Sequence, residues 1–285
     1  MRNNTLPLLF ILCSLFFASC SEEIELDYRN VEPFYVIQGD VTDTETKVLI
    51  TRSRSMSDSI KGKGLDVAEV RISDDLGRSE QLVFAADGYY RSPSGWTGET
   101  GRTYRMDVKL DGKEYTATSF MMPRVTLDSI YFVWLETAGM RMCLLKYHYT
   151  YPNDSASNAI RQGRLFSTQC YMTRNGRFYR NNSDRQVNPT RYHNEKLIGC
   201  MPETMMEEDD PDDRESILYD NDRIHLDLWS VDEPISEYFS SMKAGKSNAS
   251  NPISNISGGL QGYFSAHNVC SIDTVFRKSE IRVSK

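Results

Sequence analysis

Hydrophobic and polar positions alternate with a period of two along much of this chain, which is how strands read when one face enters a core and the other meets water. The alternating runs are short: Phe34–Gly39, Lys47–Arg52, Ala68–Ser73, Gln81–Ala85, Tyr104–Leu110 and Glu114–Phe120. Val70 and Ile72 alternate with Arg71 and Ser73, while Met106, Val108 and Leu110 alternate with Asp107 and Lys109. Asp111-Gly112 separates the last two runs and suits the two positive φ angles of a type I′ hairpin turn. Asp74-Asp75-Leu76-Gly77 and Asp87-Gly88 punctuate the neighbouring runs. Short strands at such spacing predict an immunoglobulin-like β-sandwich over residues 33–123. Met122-Pro123 closes it, because proline cannot donate to a ladder and biases the residue before it toward extended backbone.

Residues 124–285 read as a second β-rich domain with one short helix. Ser129–Leu135 and Met142–Tyr151 are apolar and aromatic strands, whereas the polar stretches 152–163 and 174–195 read as long loops. Ile224, Leu226 and Leu228 fall on one strand face and His225, Asp227 and Trp229 on the other. A helix follows. Asp232 suits its N-cap and Pro234 its first turn, Ile235, Tyr238, Phe239 and Met242 recur at helical spacing, and Gly245 is expected to end it. A Gly/Asn-rich stretch then leads to a final strand pair around Tyr263–Phe264 and Val269–Phe276.

The N-terminus has a different pattern. Arg2 precedes a thirteen-residue apolar stretch, Leu6 to Ala18, which closes on Phe17-Ala18-Ser19-Cys20. As a helix that stretch spans about 20 Å, short of the roughly 20 residues a bilayer core requires. It reads as a signal peptide over residues 1–19 with a lipobox, and Cys20 as the lipidation site. Phe17 stands where an aliphatic residue is usual. Residues 20–32 form an acidic tether whose Ser21-Glu22-Glu23 resembles the sorting signal that carries Bacteroidetes lipoproteins to the outer face of the outer membrane.

Composition narrows the partners. Removing residues 1–19 leaves 266 of the 285 residues, room for two domains. With 40 acidic against 33 basic residues and no Lys/Arg block, the chain lacks the basic face that nucleic-acid binding requires. Once Cys13 and Cys20 are set aside, Cys143, Cys170, Cys200 and Cys270 remain. In an oxidising compartment one or two disulfides are expected, and Cys170–Cys200 is the favoured pair because both flank one polar excursion. No Cys-x-x-Cys or close His pair indicates zinc, and no metal or cofactor is expected.

Three features together resemble the lipoproteins grouped as domain of unknown function 4249. They are the lipobox followed by Phe34-Tyr35-Val36-Ile37-Gln38-Gly39; Gly101-Arg102-Thr103-Tyr104 leading into the Asp111-Gly112 hairpin and Tyr115-Thr116-Ala117-Thr118; and the C-terminal Asn251-Pro252, Asn255-Ile256, Gly258-Gly259 and Gly262-Tyr263-Phe264-Ser265. The resemblance covers nearly all of the chain after Cys20. It implies an outer-membrane lipoprotein of a kind often encoded beside a TonB-dependent transporter, and it carries no catalytic residues.

Candidate chemistry is sparse. The run Glu207-Glu208-Asp209-Asp210-Pro211-Asp212-Asp213 could supply oxygens to calcium, but it lacks the glycine and terminal glutamate of an EF-hand and reads as a solvated loop. Trp96 lies in the turn-rich loop Ser92–Gly98, where it is a candidate ligand or partner contact; the alternative is a ring folded back over the strand ends. Trp229 shares its face with His225, and both are candidate contacts, on a polar surface or beneath the following helix. Trp134 reads as core. His225/Asp227 could orient an imidazole, but no Gly-x-Ser-x-Gly elbow supplies a nucleophile. Gly258-Gly259-Leu260-Gln261-Gly262 lacks the ending of a phosphate loop and suits turns or bulges in the last hairpin.

The expected role is therefore a non-enzymatic, surface-exposed outer-membrane lipoprotein that binds a small ligand or glycan, or docks on a TonB-dependent nutrient transporter. An adhesin or surface-assembly component is the alternative from a structural class, and a hydrolase with a cryptic site is the third.

Overall fold

A computed structural model describes residues 33–53, 65–137, 140–150, 166–181, 186–188, 196–200, 205–206, 219–248 and 250–283. The predicted alternation forms strands throughout the first part: β1 (Tyr35–Thr42), β2 (Thr46–Arg52), β3 (Ala68–Asp74), β4 (Ser79–Ala86), β5 (Tyr89–Arg91), β6 (Thr103–Leu110) and β7 (Lys113–Phe120). Asp111 and Gly112 take φ of 49° and 72° between β6 and β7, as a type I′ turn requires. Asp87 and Gly88, at 52° and 85°, make a second such turn that creates β5.

The second part adds β8 (Thr126–Thr137), β9 (Met140–Thr150), β10 (Phe166–Arg174), β11 (Arg177–Asn181), β12 (Gln186–Asn188), β13 (Lys196–Cys200), β14 (Met205–Met206) and β15 (Arg223–Ser230). Helix α1 (Glu233–Asn248), β16 (Gln261–Val275) and β17 (Arg282–Val283) complete it. The fold is mostly β and sandwich-like. A twelve-stranded sheet runs β11-β10-β15-β16-β1-β2-β5-β4-β3-β6-β7, with β12 beside β10. A five-stranded sheet runs β13-β9-β8-β17, with β14 beside β9.

Four expectations are corrected. Residues 174–195 are not all loop, because Asn175-Gly176, with φ of 51° and 72°, turns β10 into β11. The last strand pair is one continuous fifteen-residue strand, β16. The glycines at 258 and 259 form a 3-10 turn before that strand instead of a hairpin within it. Helix α1 also runs past Gly245 to Asn248. Gly245 serves packing instead: a Cβ there would stand 2.3 Å from the Ser250 carbonyl oxygen.

β16 organises the molecule. It lies antiparallel to β15 and parallel to β1, so residues from both sides of Pro123 share one sheet. The parallel register pairs Ile37 with Gly262, where a Cβ would meet the Ile37 carbonyl oxygen at 1.7 Å. Only glycine permits that approach, and its φ of 117° is one that side chains rarely adopt.

Ile37, Val41, Ile50, Val70, Met106, Phe264 and Ala266 close one core; Leu145, Tyr147, Ile224, Leu226, Leu228 and Phe276 close a second between the two sheets. Strand β7 curls back to β16 through Ser119, whose hydroxyl accepts from the Ala266 amide at 2.9 Å and donates to Asp232 at 2.8 Å. The same carboxylate accepts from the Phe120 amide at 2.8 Å and caps α1 through the Ile235 amide at 3.3 Å. Among the described residues, no helix is long and apolar enough to cross a membrane.

Candidate functional site

Because Ile224, Leu226 and Leu228 of β15, Phe264 and Ala266 of β16, and Ile37 and Val41 of β1 all enter the cores, their alternate neighbours lie on the opposite face of the large sheet. Strand register then sets the neighbours. Trp229 lies opposite Val269, Asp227 opposite Ser271 and His225 opposite Asp273. Across the parallel pair, Asp40 lies opposite Ser265 and Thr42 opposite His267, while Lys47 of β2 lies opposite Asp40.

All of these side chains except His225, Ser265 and Asp273 line a cavity of about 550 Å³, bounded further by Thr44, Glu45 and Arg124. Its floor is aromatic and polar. The Trp229 indole stacks on the His267 imidazole at a centroid separation of 3.8 Å and 23° between planes. His267 is 0% exposed, with Nδ1 at 2.9 Å from the Ser265 hydroxyl. Trp229 also meets the ring of Phe239 edge-on at 6.3 Å. Phe239 belongs to the apolar cluster, with Val231, Ile235, Tyr238 and Tyr263, that seats α1 on this face.

Asp227, 8% exposed, accepts from the Ser271 hydroxyl at 2.5 Å and lies 3.0 Å from His225 Nε2. His225 Nδ1 lies 2.8 Å from Asp273. Burial by itself would lower the His225 pKa, but the hydrogen bond to Asp273 and the charge and hydrogen bond of Asp227 outweigh it and raise the pKa above 6.5. When protonated, the ring donates from both nitrogens to carboxylates. That is the geometry of a charge-balancing strut: neither nitrogen keeps a lone pair aimed at a nucleophile.

The rim is held the same way. Glu45 pairs with Lys47 and accepts from Arg91 at 2.5 Å. Burial alone would raise the Glu45 pKa, yet those two cations hold it below the usual range. Thr42 Oγ1 accepts from the Glu45 amide at 2.9 Å and lies 3.0 Å from the Thr44 hydroxyl. Arg124 donates to Asp43 at 2.7 Å, and Asp43 accepts in turn from the Val269 amide at 3.3 Å.

Of the residues singled out in the sequence, Trp229 and His225 share the expected strand face. Trp229 lines the cavity, while His225 supports it through Asp227. Trp96, at 4% exposed, takes the second of its two readings, a ring folded back and not a surface contact. Its amide donates to the Ser92 hydroxyl at 2.7 Å, the Arg78 guanidinium covers its ring at 4.3 Å, and Tyr104 meets it edge-on at 6.0 Å. Trp134 packs half-buried against the second core.

Cys170 sits on β10 opposite Leu226 and Cys200 on β13 opposite Lys146, but their side chains, and so the proposed disulfide, lie outside the described residues. Cys20, the Ser21-Glu22-Glu23 signal and the acidic run 207–213 also lie outside them. Cys143 and Cys270 are buried, and Cys270 Sγ accepts from the Leu127 amide at 3.2 Å. Among the described residues no group of three or more His, Cys, Asp or Glu side chains is placed to hold a metal. Sequence reading missed Asp40, Thr42, Lys47, His267 and Ser271. The available signal was the polar interruption Ser265–His267–Asn268 inside a run otherwise apolar enough to be core.

Residues 21–273 match the family model described as Domain of unknown function (DUF4249). The chain belongs to this family. A search among curated proteins finds no match. The DUF4249 match starts at the residue after Cys20 and takes in every residue that lines the cavity.

Proposed function

We propose that this DUF4249 member is a surface-exposed, lipid-anchored outer-membrane protein that serves as a non-enzymatic binding or accessory subunit of a TonB-dependent nutrient transporter. The observation that carries the binding role is the cavity on the face of the large sheet. Most of its wall comes from β strands, and its Glu45, Lys47, Arg124 and Asp227 side chains are held by partners within the chain, so the site is formed before any ligand arrives. The anchor is supported by the lipobox ending at Cys20, and outward display by Ser21-Glu22-Glu23. The transporter as partner is supported by the resemblance to lipoproteins encoded beside such barrels.

Co-purification tests this reading. The chain should elute from mildly solubilised outer membranes together with a barrel protein of transporter size. Elution alone under those conditions refutes the accessory role. A Cys20→Ala variant should move to the soluble fraction; retention in the membrane would refute the lipid anchor.

A further inference from the structure

We infer that the cavity on β1, β2, β15 and β16 takes a neutral polyhydroxylated ligand, a mono- or disaccharide. This deepens the binding role proposed above and rests on it. At about 550 Å³ the cavity lies within the roughly 300–1,000 Å³ range of small-ligand sites.

Charge selects the class. Lys47 is answered by Glu45 and Arg124 by Asp43, while Asp227 is held by the Ser271 hydroxyl and by the His225 ring. A charged ligand would have to compete with these pairs or leave its own charge poorly matched, at a desolvation cost. A hydroxyl is both donor and acceptor. Sugar hydroxyls can therefore accept from the ammonium and guanidinium and donate to the carboxylates without breaking a pair, and hydrogen bonds to ionised groups are the stronger kind.

Shape agrees with charge. Half-buried Trp229, held by its stack on His267 and its edge contact with Phe239, stands with Val269 as the apolar part of the wall. The C–H face of a pyranose presents matching apolar surface. The ordering of that indole is already complete in the folded chain, so binding need not supply it.

Isothermal titration calorimetry tests the inference on the purified full chain, in a detergent without a sugar headgroup. The neutral probes are glucose, galactose, mannose, xylose, N-acetylglucosamine, maltose, lactose and cellobiose. Arginine, glucuronate and inorganic phosphate are the charged probes. At least one neutral sugar should bind with a Kd of about 1 mM or tighter. Its affinity should fall at least about tenfold in Trp229→Ala. Because that indole also seats α1, Arg124→Gln provides an exposed rim variant, with an expected loss of about threefold or more.

Three results overturn the inference: no heat from any neutral sugar up to about 10 mM, tighter binding of a charged probe, or sugar binding unmoved by both variants. A chain that co-purifies with a transporter yet binds no sugar loses only this ligand class. One that binds sugar but elutes alone loses only the accessory role.

Discussion

Replacing Asp232 by alanine removes one carboxylate that serves two structures at once, the N-terminus of α1 and the junction where β7 returns to β16. The side chain is 8% exposed and accepts from the Ser119 hydroxyl, the Phe120 amide and the Ile235 amide. Loss of an N-cap costs about 1 kcal/mol. Each of the other two bonds goes to a charged acceptor and contributes about 1.5 kcal/mol at the lower end of that class. Burial raises the Asp232 pKa despite these hydrogen bonds, so deletion also relieves part of a desolvation penalty and the loss falls short of the summed value of about 4 kcal/mol. The net expectation is a loss of about 3 kcal/mol, or a fall in Tm of about 6–12 °C for a chain of this size. Asp232→Asn keeps a good cap but presents an amide NH₂ to one set of donors, so about half the loss is expected. Urea unfolding followed by tryptophan fluorescence reads both variants. In a double-mutant cycle Asp232→Ala and Ser119→Ala should couple by about 1 kcal/mol or more, since the residues share a bond. A loss below about 1 kcal/mol for Asp232→Ala, or strict additivity in the cycle, would refute the reasoning.

Two further predictions concern β16 and its neighbour. Gly262→Ala should cost more than about 3 kcal/mol, because its Cβ would collide with the Ile37 carbonyl and force β1 off β16. Gly112→Ala, also at positive φ but facing open space, should cost only about 1 kcal/mol; equal urea midpoints for the two would show that close approach is not what requires glycine at position 262. His225 has a raised folded-state pKa, so its contribution to stability is complete below 6.5 and is lost as pH rises through the raised value. Urea midpoints between about pH 6 and 9 should therefore decline with pH, and the decline should flatten in His225→Gln. An unchanged slope in that variant would remove His225 as its cause.

Most strands are legible in the sequence. Val70/Ile72 and Met106/Val108/Leu110 enter the core as their alternation indicates, and Asp111-Gly112 turns where two positive φ angles are expected. Asp232 caps the helix from the expected position. Asn175-Gly176 carries the same hairpin signal as Asp111-Gly112, but its polar surroundings read as loop. Gly245 resembles a helix stop, yet it is required by a chain segment that returns against the helix. The candidate site was half legible: period two places His225, Asp227 and Trp229 on one face, but it does not say what they face.

Trp96 shows the same limit from the opposite side. A glycine- and serine-rich loop marks a turn, but whether its tryptophan points outward depends on Arg78 and Tyr104, neither of which lies in that loop. Periodicity, turn chemistry and capping are short-range effects, carried by neighbours a few residues apart, and they suffice to read the β character, the hairpins and the helix start. The cavity joins residues 40–47 to residues 227–271 through the parallel pairing of β1 with β16. Such pairing depends on the register between segments more than two hundred residues apart along the chain. It is selected by packing and by the close approach at Gly262, and those contacts arise only once the chain has folded.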